Sequence, residues 1–397
     1  MDFTQRNRTI DIFRSFTMLL MIFVNHFWNA SGIPHWMQHA KTTEDFLGLA
    51  DFVFPAFIFA IGLSIPYAIE KRYAKGYSEL STLTHILGRS FALIVMGVCF
   101  VNTEYGLNEE VFMSLPVFEL LMFTAFFLIW NAYPATGDRK KRKLYTGLKI
   151  LGWALLVFLA IIYKDPKGNV LQTRWWGILG LLGWTYLACA FLYMLFRDKL
   201  SSHIVAFLVF VAISIVSSRT RGGGTLLPRE SAVYGLLQVL TIPPGSRCAL
   251  CMAGIVTSLV SLRIAGWKPG RKVALVFAVL VGLNVAGIVA HRFWILSKNL
   301  ETPTTVFFWL SSFILVYCLF QCLVSAGKEG FFRVIRSAGT ATLTCYMVPP
   351  ILYAVMGLLD IRFKPAGVWG ILYCLAFAFA CVGITTLMEK GKVKLKI

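Results

Sequence analysis

Long apolar runs separated by short polar segments make up almost the whole chain. Most are of the length a helix needs to cross a bilayer, roughly 17–25 residues. About twelve such runs lie near 10–29, 48–69, 84–102, 113–132, 146–163, 175–196, 203–217, 245–262, 272–291, 304–325, 335–357 and 368–388, the seventh being short. The pattern predicts an all-α fold: a polytopic transmembrane bundle of about twelve (11–12) helices, with 1–397 forming one integral membrane domain. Asp11 and Arg14 interrupt the first run and no A-x-A site follows it, so it is not expected to be a cleavable signal peptide. The longest connection, roughly 218–244, holds Arg221-Gly222-Gly223-Gly224 and Pro243-Pro244 and reads as a flexible outer loop able to act as a lid.

Composition narrows the class. The chain is 57% hydrophobic and only 14% charged, against roughly 25% charged in soluble proteins. Glycine (32) and proline (14) are at ordinary levels, which excludes collagen-like and low-complexity chains. The net charge of +19 would suggest nucleic acid in a soluble protein. No basic, aromatic module stands outside the apolar runs here, so no nucleic-acid partner is expected. The cations instead follow the segments. Alternate connections carry Arg6 and Arg8; Lys71, Arg72 and Lys75; Arg139 to Lys143 with Lys149; Arg197 and Lys199; Arg263, Lys268, Arg271 and Lys272; Lys328, Arg333 and Arg336; and Lys390 to Lys396. These segments hold roughly twice the Lys and Arg of the intervening ones, which predicts N-in, C-in orientation. An anionic ligand is a second reason for a cationic excess. The nine cysteines all sit in apolar runs and read as small hydrophobes. Cys248 and Cys251 have no second pair or histidine nearby, so no metal is expected.

Ionisable residues inside spans are costly and usually face the bundle interior. The first run carries Asp11 and Arg14 near one end and Asn25 and His26 near the other. At 1.5 Å and 100° per residue, Arg14 and Asn25 fall about 16 Å apart on one helix face. An interfacial Asp11–Arg14 pair and a capping Asn25 explain this pattern as well as a functional stripe does. His26, His35 and His39 follow within a few turns of chain, with Glu44, Asp45 and Asp51 after them. Acid–base chemistry suits histidine, no helical H-x-x-x-H or cysteine supports metal ligation, and interfacial histidines with no role are the bland alternative. Spacing does not choose among the three. Arg89 interrupts the third run, Glu119 lies in the fourth, and His291, Arg292, Lys298 and Asn299 precede Thr302-Pro303-Thr304. Gly62, Ser64 and Gly339 offer small surfaces for close helix packing, and Trp175, Trp176, Trp184 and Trp294 fit interfacial belts.

Several short motifs recur together. Asp11-Ile12-Phe13-Arg14-Ser15, Val24-Asn25, His39-Ala40, Asp51-Phe52-Val53-Phe54-Pro55-Ala56-Phe57-Ile58-Phe59 and Gly62-Leu63-Ser64 run in one order, continued by Arg89-Ser90, Gly97 and Val101-Asn102. In this the chain resembles the heparan-α-glucosaminide N-acetyltransferase family of transmembrane acyltransferases, in particular its bacterial relatives. The resemblance is strong over 6–105, thinner over 245–390 (Lys298-Asn299, Thr302-Pro303, Gly339 to Tyr346) and nearly absent in the middle, 116–243. It implies transfer of an acetyl group from cytosolic acetyl-coenzyme A (acetyl-CoA) to a glucosamine across the membrane, with His39 matching the catalytic histidine and Asn25 its partner.

The departures concern the acceptor side. Ser15 replaces a glycine, Lys41-Thr42-Thr43-Glu44-Asp45 replaces the tryptophan and glycine after H-A in a loop about two residues longer, and Glu119 stands near the place of a Q-R pair. Two additional spans are expected in the middle, and no counterpart of the lysosomal enzyme's luminal domain.

On this resemblance, His39 is the expected base and Asn25 the positioning or oxyanion group, with an acetyl-His39 intermediate left open. Arg14 and Arg89, with Arg336 or Lys71, would grip the nucleotide phosphates of acetyl-CoA. Asp51 would orient His39 or bind a sugar hydroxyl, and Lys298, Asn299 and Thr302 would line the acceptor side. The expected partners are a small-molecule or glycan acceptor and membrane lipid, with a homodimer left open, in the cytoplasmic (inner) membrane. Acetylation of a hydroxyl rather than an amine, and a transporter of sugars or cell-wall fragments, are the competing readings.

Overall fold

The computed structural model describes residues 7–241 and 245–397, so Arg6, Pro243 and Pro244 lie outside the described residues. Fourteen α-helices are found among the described residues, with no strand beyond the isolated bridges Ser31–Ala366 and Asn131–Leu395. In order they are α1 (Arg8–Asn25), α2 (Ala50–Ala74), α3 (Glu79–Glu104), α4 (Leu115–Trp130), α5 (Arg139–Ile162), α6 (Gly177–Phe196) and α7 (Leu200–Ser217). They continue as α8 (Ala232–Thr241), α9 (Ser246–Arg263), α10 (Pro269–His291), α11 (Pro303–Ser325), α12 (Arg336–Thr340), α13 (Thr342–Leu358) and α14 (Gly367–Lys390).

Ten of these helices are long and apolar enough to cross a membrane, and α4 and α13 are shorter apolar helices. Together they account for the twelve expected runs, and the protein is a polytopic integral membrane bundle. Most side chains of α5 and α10 point outward and are apolar, as a bilayer-facing periphery requires. Helix association in lipid depends on close packing rather than on water exclusion, and the small residues serve this. A Cβ on Gly62 of α2 would lie 1.9 Å from the Cys251 carbonyl oxygen on α9, and one on Gly339 would lie 2.2 Å from Ser15 Oγ on α1.

Two elements differ from the sequence expectation. The run 335–357 is not one helix: α12 and α13 are separated at Ala341, whose φ of −123° and ψ of 45° leave the helical region. Within a membrane bundle, non-helical backbone persists where it lines a cavity, and Thr340, Ala341 and Thr342 do line one. The long connection after α7 is not structureless either, because it contains α8.

Candidate active site

α1 forms the spine of the site. Asn7 caps its start by accepting from the Ile10 amide at 3.2 Å, and Asn25 is its last residue. A cavity of about 690 Å³ opens around the Arg14 end. A second, of about 300 Å³, surrounds the Asn25 end. Both sizes fall in the range of ligand sites, roughly 300–1,000 Å³. Met21 of α1 and Ile178 of α6 line both, so the two chambers meet at these side chains.

Arg14, Lys71 and Arg89 all line the larger chamber. The Arg14 Nη2 donates to Thr342 Oγ1 at 2.9 Å, and that hydroxyl donates to the Gly339 carbonyl at 2.9 Å. Arg14 thereby ties α1 to the break between α12 and α13. The Arg89 guanidinium lies 4.6 Å from the centre of the Tyr186 ring, and its buried Nε has no hydrogen-bond partner. A stacked arginine with an unused donor suits a phosphate. Arg336 is exposed at the start of α12 and does not line the chamber.

The smaller chamber is lined by Asn25, His39, Lys298 and Asn299, and also by Arg247 and Glu301. Asp51 sits in the first turn of α2 with its side chain 1% exposed. Its Oδ2 accepts from the amides of Ala40 and Gly48, both at 3.0 Å, and its Oδ1 lies 2.7 Å from His39 Nδ1. Gly48 makes this loop possible, since a Cβ there would lie 1.8 Å from the Gln38 carbonyl oxygen.

Lys298 Nζ also approaches His39 Nδ1, at 3.3 Å. The carboxylate can only accept, so the shorter contact puts the proton on Nδ1, and Lys298 acts as a nearby charge rather than as a donor to that nitrogen. Nε2 is then the ring atom that can take a proton. Burial pushes the Lys298 ammonium below its ordinary range and Arg247 adds to this, while Asp51 and Glu301 oppose it.

Arg247 and Glu301 were not singled out by the sequence. They form a buried pair, Arg247 Nη2 to Glu301 Oε1 at 2.5 Å, with side chains 13% and 15% exposed. Arg247 Nε and Nη1 and Glu301 Oε2 have no hydrogen-bond partner, which leaves polar capacity for an acceptor. Burial raises the Glu301 carboxyl above the usual range, opposed by Arg247 and then Lys298. Their signal in the sequence was only their position at the ends of two distant connections.

The remaining candidates are placed elsewhere. Thr302 is fully buried outside the chamber, capping α11 and donating to the Ile295 carbonyl at 2.7 Å. It shapes the loop that carries Lys298. Asn299 Nδ2 donates to Thr42 Oγ1 at 3.0 Å, tying that loop to the one after His39. The three histidines separate: His26 stacks on Phe377 with ring centres 3.7 Å apart, and His35 pairs with Glu44 at 2.8 Å. Only His39 reaches the chamber. Asp45 joins three segments around it, binding Arg221 Nη2 at 2.5 Å, His291 Nε2 at 2.9 Å and the Leu296 amide at 2.7 Å. Among the described residues no three His, Cys, Asp or Glu side chains gather as a metal site.

Residues 6–226, more than half of the chain, match the family described as "Domain of unknown function (DUF5009)". The protein belongs to that family. It is also similar to the heparan-alpha-glucosaminide N-acetyltransferases of Mus musculus, 39% identical over 104 residues, and of Homo sapiens, 38% identical over 104 residues. Each match covers 26% of this chain and 15% of the relative. The shared region is thus a small part of those proteins.

Proposed function

We propose that this DUF5009 protein is a transmembrane acetyltransferase of the cytoplasmic membrane. Acetyl-CoA is bound in the larger chamber from the cytoplasmic side, and a sugar or glycan amine or hydroxyl is acetylated in the smaller one on the opposite side. The observation that carries this reading is the meeting of an arginine-lined chamber and a His39–Asp51 chamber at Met21 and Ile178. The biased distribution of Lys and Arg supports the orientation, and the similarity to the two N-acetyltransferases supports the reaction class.

In this reading Arg14 and Arg89, with Lys71 at the rim, hold the phosphates of the donor. The pantetheine arm follows α1 over the roughly 16 Å between Arg14 and Asn25. The thioester carbonyl then reaches the smaller chamber. His39 Nε2 removes the acceptor's proton as the acceptor attacks that carbonyl. Asp51 steadies the imidazolium, and the Asn25 amide donates to the developing oxyanion. The C–S bond breaks, and coenzyme A leaves with the proton that His39 returns. If His39 first accepts the acetyl group itself, the same atoms balance in two steps.

The test is transfer or hydrolysis of radiolabelled acetyl-CoA by purified protein in detergent. His39→Ala is expected to abolish turnover while coenzyme A still binds. Full turnover in that variant overturns the assignment. Mass spectrometry of the product distinguishes an amide from an ester.

A further inference from the structure

Residues 392–397 follow α14 and turn back against the bundle. The tail is held by its backbone. Lys394 N donates to Asn131 Oδ1 at 2.8 Å and Leu395 N to Thr344 Oγ1 at 2.9 Å. The Ala132 amide donates to the Lys394 carbonyl at 2.8 Å, and Lys396 N donates to the Trp130 carbonyl at 2.9 Å. The Leu395 side chain is 4% exposed and belongs to the core. Such a segment is docked structure, and Lys394, Leu395, Lys396 and Ile397 all line the larger chamber.

The two lysines are not equivalent. Lys394 Nζ is paired with Glu389 Oε1 at 2.7 Å, so its charge is already met. Lys396 is exposed at the chamber's rim, and among the described residues no carboxylate pairs with it. It shares the chamber with Arg14, Lys71 and Arg89. Asp11 is the one carboxylate side chain among the chamber's described lining residues, so the cations outnumber it, and an excess of positive charge around one concavity favours a bound anion.

We propose that the docked tail is a wall of the donor site and that Lys396 is a phosphate-binding residue for the nucleotide end of the acyl donor. This rests on the donor site proposed above. It adds to that site a contact supplied from the far end of the chain. Lys396 touches only the phosphates, so its contribution is confined to donors that carry them.

The experiment compares two acyl donors, acetyl-CoA and acetyl-pantetheine, which has the same thioester and no phosphate. In Lys396→Ala the KM for acetyl-CoA is expected to rise about fivefold relative to that for acetyl-pantetheine, the size one exposed charge contact supports. Lys396→Arg is expected to restore the wild-type ratio. Lys392→Ala, on the exposed turn outside the chamber, serves as the control. An unchanged KM ratio in Lys396→Ala overturns the proposal while the acetyltransferase reading stands. Equal rises with both donors overturn it as well, because they mark loss of tail structure rather than of a phosphate contact. Wild-type protein that neither turns over nor binds acetyl-CoA overturns the donor site itself and this inference with it.

Discussion

Met21 on α1 and Ile178 on α6 stand between the two chambers, each lining both. In the proposed reaction the acyl group moves from the arginine-lined chamber to His39 past these two side chains. Their size therefore sets the passage. Met is a flexible gap-filler, and Ile178 is half-buried at the boundary. Ile178→Phe is expected to lower acetyl transfer at least about tenfold while coenzyme A binding, measured by calorimetry in detergent, stays near wild type. Equal loss of binding and transfer would show that the boundary does not gate the thioester. An added ring in a packed bundle costs roughly 1–3 kcal/mol, so the melting temperature is measured alongside.

The Asp51 carboxylate uses both oxygens, one for His39 Nδ1 and one for the amides of Ala40 and Gly48. An asparagine there has only one acceptor oxygen. If that oxygen serves the two amides, its NH₂ faces His39 and forces the proton onto Nε2, removing the base. Asp51→Asn is therefore expected to lower kcat by about a hundredfold or more, with little change in the KM for acetyl-CoA. A wild-type kcat would show that Asp51 only folds the loop.

How much of this was legible in the chain follows from which interactions are local. The spans are written in runs of apolar residues, and Arg14 and Asn25 lie on one helix, so 3.6-residue geometry relates them directly. The separation at Ala341 carries no such mark, because Gly339-Thr340-Ala341 reads as ordinary small-residue packing. Only the cavity beside it explains the missing helical bonds. Arg247 and Glu301 are far apart in sequence, and their pairing depends on how α9 and α11 are brought together. Thr302 was legible as part of a motif, but its hydroxyl is spent on capping α11.

Gly48 is expected to be intolerant of any side chain. A Cβ would lie 1.8 Å from the Gln38 carbonyl oxygen, a backbone atom that cannot swing aside. Gly48→Ala must therefore move the loop that supplies an amide to Asp51. Both a lower melting temperature and a lower kcat are expected, and a variant that kept both would refute the loop geometry.

Asp45 gives the protein an acid-sensitive clamp. Burial alone would raise its carboxyl, but the Leu296 amide, His291 and Arg221 outweigh this and hold it below the usual carboxylate range. Its folded-state pKa is thus lower than its unfolded one. Between those two values the unfolded chain binds more protons, so stability rises with pH across that window. The stabilisation is complete above the ordinary aspartate value, roughly 3.9, and is lost as pH falls through the folded value. Since Asp45 ties the loop after His39 to Arg221 and to the segment before Lys298, acid should loosen those segments before the helices. Hydrogen-exchange protection, measured against the intrinsic rate at each pH, is expected to fall at residues 41–46 and 293–299 below about pH 4, and Asp45→Asn should show the lower protection already at neutral pH. If Asp45→Asn matched wild type at neutral pH, the clamp would have no part in ordering the chamber's rim.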